Sequence, residues 1–126
     1  MQNYNISASI VVYNSPEDAH KTVETVLKHT ENLDFDLYVI DNASPEKIGE
    51  SIKKDFDKPH YILLDENVGF GKGHNMVLDK INSKYHLSSC NRCRIVFLVL
   101  TPAFREFLCF MISPPYCTRF LEITSW

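Results

Sequence analysis

Ser7-Ala8-Ser9-Ile10-Val11-Val12-Tyr13-Asn14 is the stretch that decides the fold. A short apolar run rich in β-branched residues, closed by an asparagine, reads as a buried strand of the kind a parallel sheet needs. Directly behind it, Ser15-Pro16-Glu17-Asp18 reads as a helix start. Ser15 can cap, Pro16 suits the first helical position, and the two acids favour the positive end of the helix dipole. Ala19, Val23, Val26 and Leu27 follow at helical spacing. One face of this helix should therefore pack on the sheet, and the helix should fade near Thr30.

The same grammar then repeats. Phe35 to Ile40 reads as a second strand, ending in Asp41-Asn42, and Ser44-Pro45-Glu46 offers a second cap. Ile48, Ile52 and Phe56 mark the buried face of a second helix, and Pro59 interrupts the chain before a short third strand over Tyr61–Leu64. Asp65 to Asn75 is a Gly-rich turn leading into a third helix with Met76, Leu78 and Ile81 as its apolar positions. Alternating strands and helices predict an α/β fold, with a mainly parallel sheet, helices on its faces and right-handed crossovers. Farther on, Ile95–Leu100 reads as a fourth strand and Phe104–Ile112 as a short apolar helix. Pro102, Arg105 and Glu106 break the apolar stretch too often for a membrane span.

A chain of 126 residues has room for one domain with a modest core. Its net charge of -3 gives no basic footprint for nucleic acid. The start, Met1 to Asn5, lacks the basic and apolar regions of a secretory leader, so the cytoplasm is the expected compartment. Composition changes abruptly near residue 87. Before it the basic residues other than His are nine lysines, with no Arg and no Cys; after it they are four arginines, and all four cysteines follow. Residues 1–86 and 87–126 therefore read as two regions, the second as a tail from another reading frame or source.

In open parallel sheets, ligands bind at the carboxyl ends of the strands. Three polar clusters fall there: Tyr13-Asn14, Asp41-Asn42, and Asn67 to Asn75. A carboxylate after the second strand can accept hydrogen bonds from a base or a ribose. Gly69, Gly71 and Gly73 let backbone approach a ligand or turn with positive φ. A helix start after them would favour phosphate. Each cluster has a plainer reading too: Asp41 to Ser44 as a turn plus cap, the glycines as a tight connection, and His74 as a structural residue. The spacing Gly-x-Gly-x-Gly after a third strand is neither the dinucleotide fingerprint nor a phosphate loop with its Gly-Lys-Ser/Thr ending. In the tail, Cys90-x-x-Cys93 has the spacing of half a zinc site, but Cys109 and Cys117 do not complete a ribbon.

Taken in order and spacing, Ser9–Asn14, Val39–Ser44 and Glu66–Asn75 resemble three early blocks of the family-2 glycosyltransferases, closest to their rhamnosyltransferase-like branch of bacterial surface polysaccharides. The resemblance covers residues 5–86. It implies a GT-A, Rossmann-like, three-layer fold, here the nucleotide-sugar binding half. It also implies a nucleotide-diphosphate sugar as donor and a glycan or lipid-linked glycan as acceptor. By it, Tyr13 and Asn14 line the nucleoside pocket, Asp41 binds the base, Asn42 belongs to the same nucleotide-sugar site, and Gly69, Lys72 and Asn75 lie in the segment beside the nucleotide. The family inverts the anomeric centre in one displacement. A carboxylate serves as base, and Mg2+ or Mn2+ stabilises the leaving diphosphate.

The chain departs from that pattern after the third helix, where the family carries Asp-x-Asp or, in this branch, Asn-Pro-Asp for the metal. Here no acidic residue occurs between Asp79 and Glu106. The region of the catalytic base is also missing, so a frameshifted or truncated gene and a chain inactive by itself are the expectation. The rival reading is a non-catalytic α/β interaction protein. Its tail, with Phe104, Phe107, Leu108, Phe110 and Met111, would associate with itself, a partner or the inner face of a membrane.

Overall fold

The computed structural model describes residues 4–90, 96–98 and 109–111. The described chain runs β1 (Tyr4–Val12), α1 (Pro16–Thr30), β2 (Phe35–Asp41), α2 (Ile48–Asp55), β3 (His60–Leu63), α3 (Phe70–Asn75), β4 (Ser83–Cys90), β5 (Val96–Leu98) and β6 (Cys109–Met111). The first four strands form one sheet in the order β3-β2-β1-β4, and all three pairings are parallel. The α/β class and the parallel sheet are as the strand-helix alternation predicts.

Because successive side chains of a strand face opposite ways, the sheet builds two cores. On one face Ala8, Ile10 and Val12 of β1 join Phe35, Leu37 and Val39 of β2 beneath Ala19 and Val23 of α1 and Ile48 and Ile52 of α2. On the other face Val11, Tyr38 and Ile40 pack with Val77, and Phe70 and Ile81 lie against them. Helices thus cover both faces, which gives three layers. Ile10, Ile40 and Ile52 are at most 1 % exposed, and burying a side chain of this size contributes about 2 kcal/mol.

Several sequence expectations are corrected. Ser15 stands at the N-cap of α1, yet its backbone is left-handed (φ 53°) and its side chain caps nothing. The second helix starts at Ile48, not at Ser44-Pro45-Glu46, because Ser44 to Lys47 forms a separate turn closed by the Lys47 N–H on the Ser44 carbonyl at 3.0 Å. The third helix lies inside the Gly-rich segment and ends at Asn75. Beyond it the chain tightens into turns, with Val77 donating to His74 O and Leu78 to Asn75 O. Val77 is the buried residue there, whereas Met76 is 45 % exposed.

The fourth strand of the sheet is Ser83–Cys90, which crosses the compositional break at residue 87. The expected strand within Ile95–Leu100 exists at Val96–Leu98, but it pairs antiparallel with Cys109–Met111 in a separate two-stranded sheet. That pairing replaces the last part of the helix expected over Phe104–Ile112. Residues 99–108 lie outside the described residues, as do Cys93, Cys117 and most of the apolar tail.

Candidate functional site

The strand order fixes where a crevice must open. From β1 the chain steps outward to β2 and β3, then returns through α3 to lie on the other side of β1 as β4. The reversal between β1 and β4 is the switch point at which open α/β sheets bind ligands, outside the carboxyl ends of the strands. Tyr13-Asn14, Asp41-Asn42 and the Asn67–Asn75 segment all leave the sheet at that edge.

The loops at this edge are held in unusual conformations. Asn14, Ser15, Ala43 and Lys47 all have positive φ, between 50° and 61°. Outside glycine and asparagine such backbone costs about 1–2 kcal/mol per residue. Strain gathered at one rim of a sheet is a mark of functional loops. Tyr13, at the tip of β1, is 40 % exposed, and the Asn14 N–H reaches Ser44 Oγ at 3.3 Å, tying the first loop to the second.

Asp41 is only 4 % exposed. Its Oδ1 accepts the Ser44 N–H at 2.8 Å and its Oδ2 accepts the Gly49 N–H at 2.7 Å. Gly49 is the second residue of α2, one of the donors that a helix start leaves unsatisfied. The turn-and-cap reading of this cluster therefore describes its geometry: the carboxylate supplies from the strand end the cap expected of Ser44. Gly49 is small for a second reason, since an added Cβ would lie 2.5 Å from Leu63 Cδ2 and 2.7 Å from Asp41 Cβ.

Asn42, 3 % exposed, clamps the third loop. Its Nδ2 donates to Asn67 Oδ1 at 3.1 Å and its Oδ1 accepts the Val68 N–H at 2.9 Å. Asn67 Oδ1 also accepts the Gly69 N–H at 2.9 Å, an Asx turn that starts the Gly-rich segment. Gly69 sits at φ 84° and ψ 168°, a region essentially reserved for glycine. Gly73 meets β1 so closely that a Cβ would lie 3.1 Å from Val11 Cγ2. Lys72 is exposed on α3, and the Asn75 Oδ1 is buried with no hydrogen-bond partner among the described residues.

The structure thus brings Tyr13, Asn14, Asn42 and Gly69 to one edge, sets Asp41 beneath it, and carries Lys72 and Asn75 on the α3 that follows. Sequence reasoning missed the roles of Asn67 and Gly49, although Asn67 two residues before Gly69 was a visible Asx-turn signal. It also missed a buried pair of histidines, His74 and His86, joined through Ser9. Burial pushes His74 down to about 3, with His86 adding to the effect and the Ser89 backbone opposing it. Burial likewise pushes His86 down to about 4. Among the described residues no three His, Cys, Asp or Glu side chains come together as a metal-binding group, and no helix is long and apolar enough to cross a membrane.

Compared with known families, the chain matches the one described as "Glycosyl transferase family 2" over residues 7–87. No curated protein matches it. The matched span begins within β1 and ends within β4, so it takes in β2, β3 and the larger part of β1 and β4.

Proposed function

The chain belongs to glycosyl transferase family 2, and we propose that it is a nucleotide-binding half of such an enzyme, holding the nucleoside diphosphate of a sugar donor at the carboxyl ends of β1, β2 and β3. One observation carries this reading: three polar loops, distant in sequence, converge on the switch-point edge of a parallel sheet. In it Tyr13 offers an aromatic face and Asn14 a polar edge to the nucleoside. Gly69 lets backbone come close, Lys72 supplies a cation for the diphosphate, and Asn75 supplies an unsatisfied acceptor. Asp41 acts from below. Buried and accepting an N–H on each oxygen, from Ser44 and Gly49, it shapes the loop that holds the base.

We further propose a rhamnosyltransferase-like, inverting, surface-polysaccharide type of parent enzyme working in the cytoplasm, and a chain that does not transfer sugar by itself. The divalent metal of that chemistry needs carboxylates after β4. Here β4 ends in Ser88-Ser89-Cys90, and the groups that face inward are serine hydroxyls and neutral imidazoles. These residues do not fit Mg2+ or Mn2+. The test is to titrate the full chain with nucleoside diphosphates and to assay transfer from nucleotide sugars with Mn2+ present. Binding without turnover supports the reading. Turnover would overturn the claim of inactivity, and binding outside the β1–β3 edge would overturn the site.

A further inference from the structure

Beneath the Gly-rich segment lies a buried polar cluster that the nucleotide reading does not use. Ser7 and Ser9 of β1, His86 and Ser88 of β4 and His74 of α3 are each at most 2 % exposed. Ser9 Oγ is 2.6 Å from His74 Nδ1 and 2.9 Å from His86 Nε2. Ser7 Oγ is 2.7 Å from His86 Nδ1 and 2.6 Å from Ser83 Oγ. Ser83 in turn donates to the Tyr85 carbonyl at 2.9 Å.

Counting donors gives this cluster a direction. A hydroxyl has one hydrogen to donate, and a neutral imidazole has one N–H. Ser83 gives its hydrogen to Tyr85 O, so the short contact between Ser7 and Ser83 requires Ser7 to donate. Ser7 then has none left for His86, and His86 Nδ1 must carry the hydrogen and donate to Ser7. His86 Nε2 is therefore bare and accepts from Ser9. Ser9, its hydrogen used, accepts from His74 Nδ1. Five hydrogen bonds run one way from His74 to Tyr85, with Ser88 Oγ a longer contact on Ser9 Oγ at 3.4 Å, and both imidazoles are Nδ1–H tautomers.

We propose that Ser7, Ser9, His74 and His86 are positioning residues that form a one-directional latch, fastening the Gly-rich segment to β1 and β4 only while both imidazoles are neutral. Around the latch the Ser89 backbone favours a charge on His74, and burial outweighs it. From β1 it is faced by Ser7, Ser9 and Val11; from β4 by Ser88, with Lys84 exposed at the strand's start. The α3 segment brings the Phe70 ring against His74, with centroids 4.4 Å apart, and its Lys72, Asp79 and Lys80 are exposed. From β2 the nearest carboxylate by register is Asp36, opposite Ser7, and it is engaged by His60 of β3 at 2.7 Å.

A second proton on His86 would put an N–H against the Ser9 hydrogen and break the link between Ser9 and His86. On His74 it would put an N–H on the buried Nε2, where burial outweighs the one group that favours the charge, the Ser89 backbone. Burial already holds both groups below their ordinary range. The sign follows: with pKa values lower when docked than when released, the latch is complete above about pH 6.5 and loosens as pH falls below it.

The latch stands apart from nucleotide binding, and rests on that reading only for the claim that the segment it holds lies beside the nucleotide. Its test uses the full chain without nucleotide. Ring 15N chemical shifts at pH 7 should show His74 and His86 both neutral and protonated on Nδ1; an Nε2–H tautomer at either would overturn the latch. Amide exchange at Gly73 to Val77, corrected for intrinsic rates, should show the opened fraction rising as pH falls from 6.5 to 5, toward a limit of about tenfold per pH unit for each imidazole released and about a hundredfold for both. A pH-independent opening would overturn it. His74→Asn keeps a donor toward Ser9 but cannot titrate, so it should leave the His86 tautomer in place and about halve that rise on a logarithmic scale, the remainder being the share of His86. An unchanged slope in this variant would remove His74 from the latch. Because the shifts are read on the unaltered chain, a variant that fails to fold still leaves the tautomer result decisive, and failure of the latch leaves the nucleotide titration standing.

Discussion

Replacing Asp41 separates the two roles open to a carboxylate at the end of β2. Its oxygens accept two backbone N–H groups, from Ser44 at 2.8 Å and Gly49 at 2.7 Å, in a site only 4 % exposed. A hydrogen bond to a charged group is worth about 1.5–3 kcal/mol, and stranding its buried partner adds to the loss. Asp41→Ala removes both bonds and should cost about 4 kcal/mol. Asp41→Asn keeps one oxygen and turns an NH2 group toward the other donor, and should cost about 2 kcal/mol. Urea unfolding followed by circular dichroism measures both, read as shifts in midpoint at constant slope. The order Ala worse than Asn, with both well outside 0.5 kcal/mol of the parent, is the expected result. Near-parental stability in both variants, together with lost nucleotide binding, would refute the capping assignment and place Asp41 at the base.

Three further outcomes are expected. Gly69→Ala meets no atom within 4 Å, yet its φ of 84° should make it cost about 2 kcal/mol by urea unfolding. Ala43→Gly, at φ 61°, should instead be neutral or stabilise by up to about 1 kcal/mol, because relief of strain offsets the added freedom of the unfolded chain. Stability should fall with acid: two histidines lowered to about 3 and about 4 in the folded chain bind fewer protons than the unfolded chain below pH 6.5. Each contributes about 1.4 kcal/mol per pH unit, so about 5 kcal/mol is lost between pH 6.5 and 4.5. A flat stability profile from pH 7 to 5 would contradict the buried, neutral state of both rings.

The parts of the fold visible in the sequence are those where one strand or helix carries its own pattern. β1 and β2 are apolar runs, and α1 and α2 carry a buried stripe, so their existence and order could be read directly. The cap of α2 could not, because its acceptor is a strand residue eight positions before Gly49, while local grammar pointed to Ser44. β4 was hidden for a related reason. Ser83–Cys90 is polar, and its His86 and Ser88 are buried where Ser7 and Ser9 face them across the pairing. Two serines inside an otherwise apolar strand were the signal, and they called for a polar neighbour. The Gly-rich segment was legible as a special place but not as a helix. Gly73 acts there by letting α3 touch Val11, a contact that no local pattern encodes.

The candidate site divides in the same way. Tyr13, Asn14, Asn42 and the Asn67–Asn75 segment were found because strand ends can be located from hydropathy. The buried position of Asp41 was not found, since only the docked α2 reveals which donors its carboxylate meets.

The central claim is that a nucleoside diphosphate binds at the carboxyl edge of the β3-β2-β1-β4 sheet. The most direct measurement is a titration of the 15N-labelled full chain with nucleoside diphosphates of each base, followed amide by amide. The account predicts saturable shifts confined to Tyr13-Asn14, Asn42-Ala43 and Asn67 to Asn75, with the amino ends of the strands unmoved. Shifts scattered over the surface, or none at millimolar nucleotide, would contradict it.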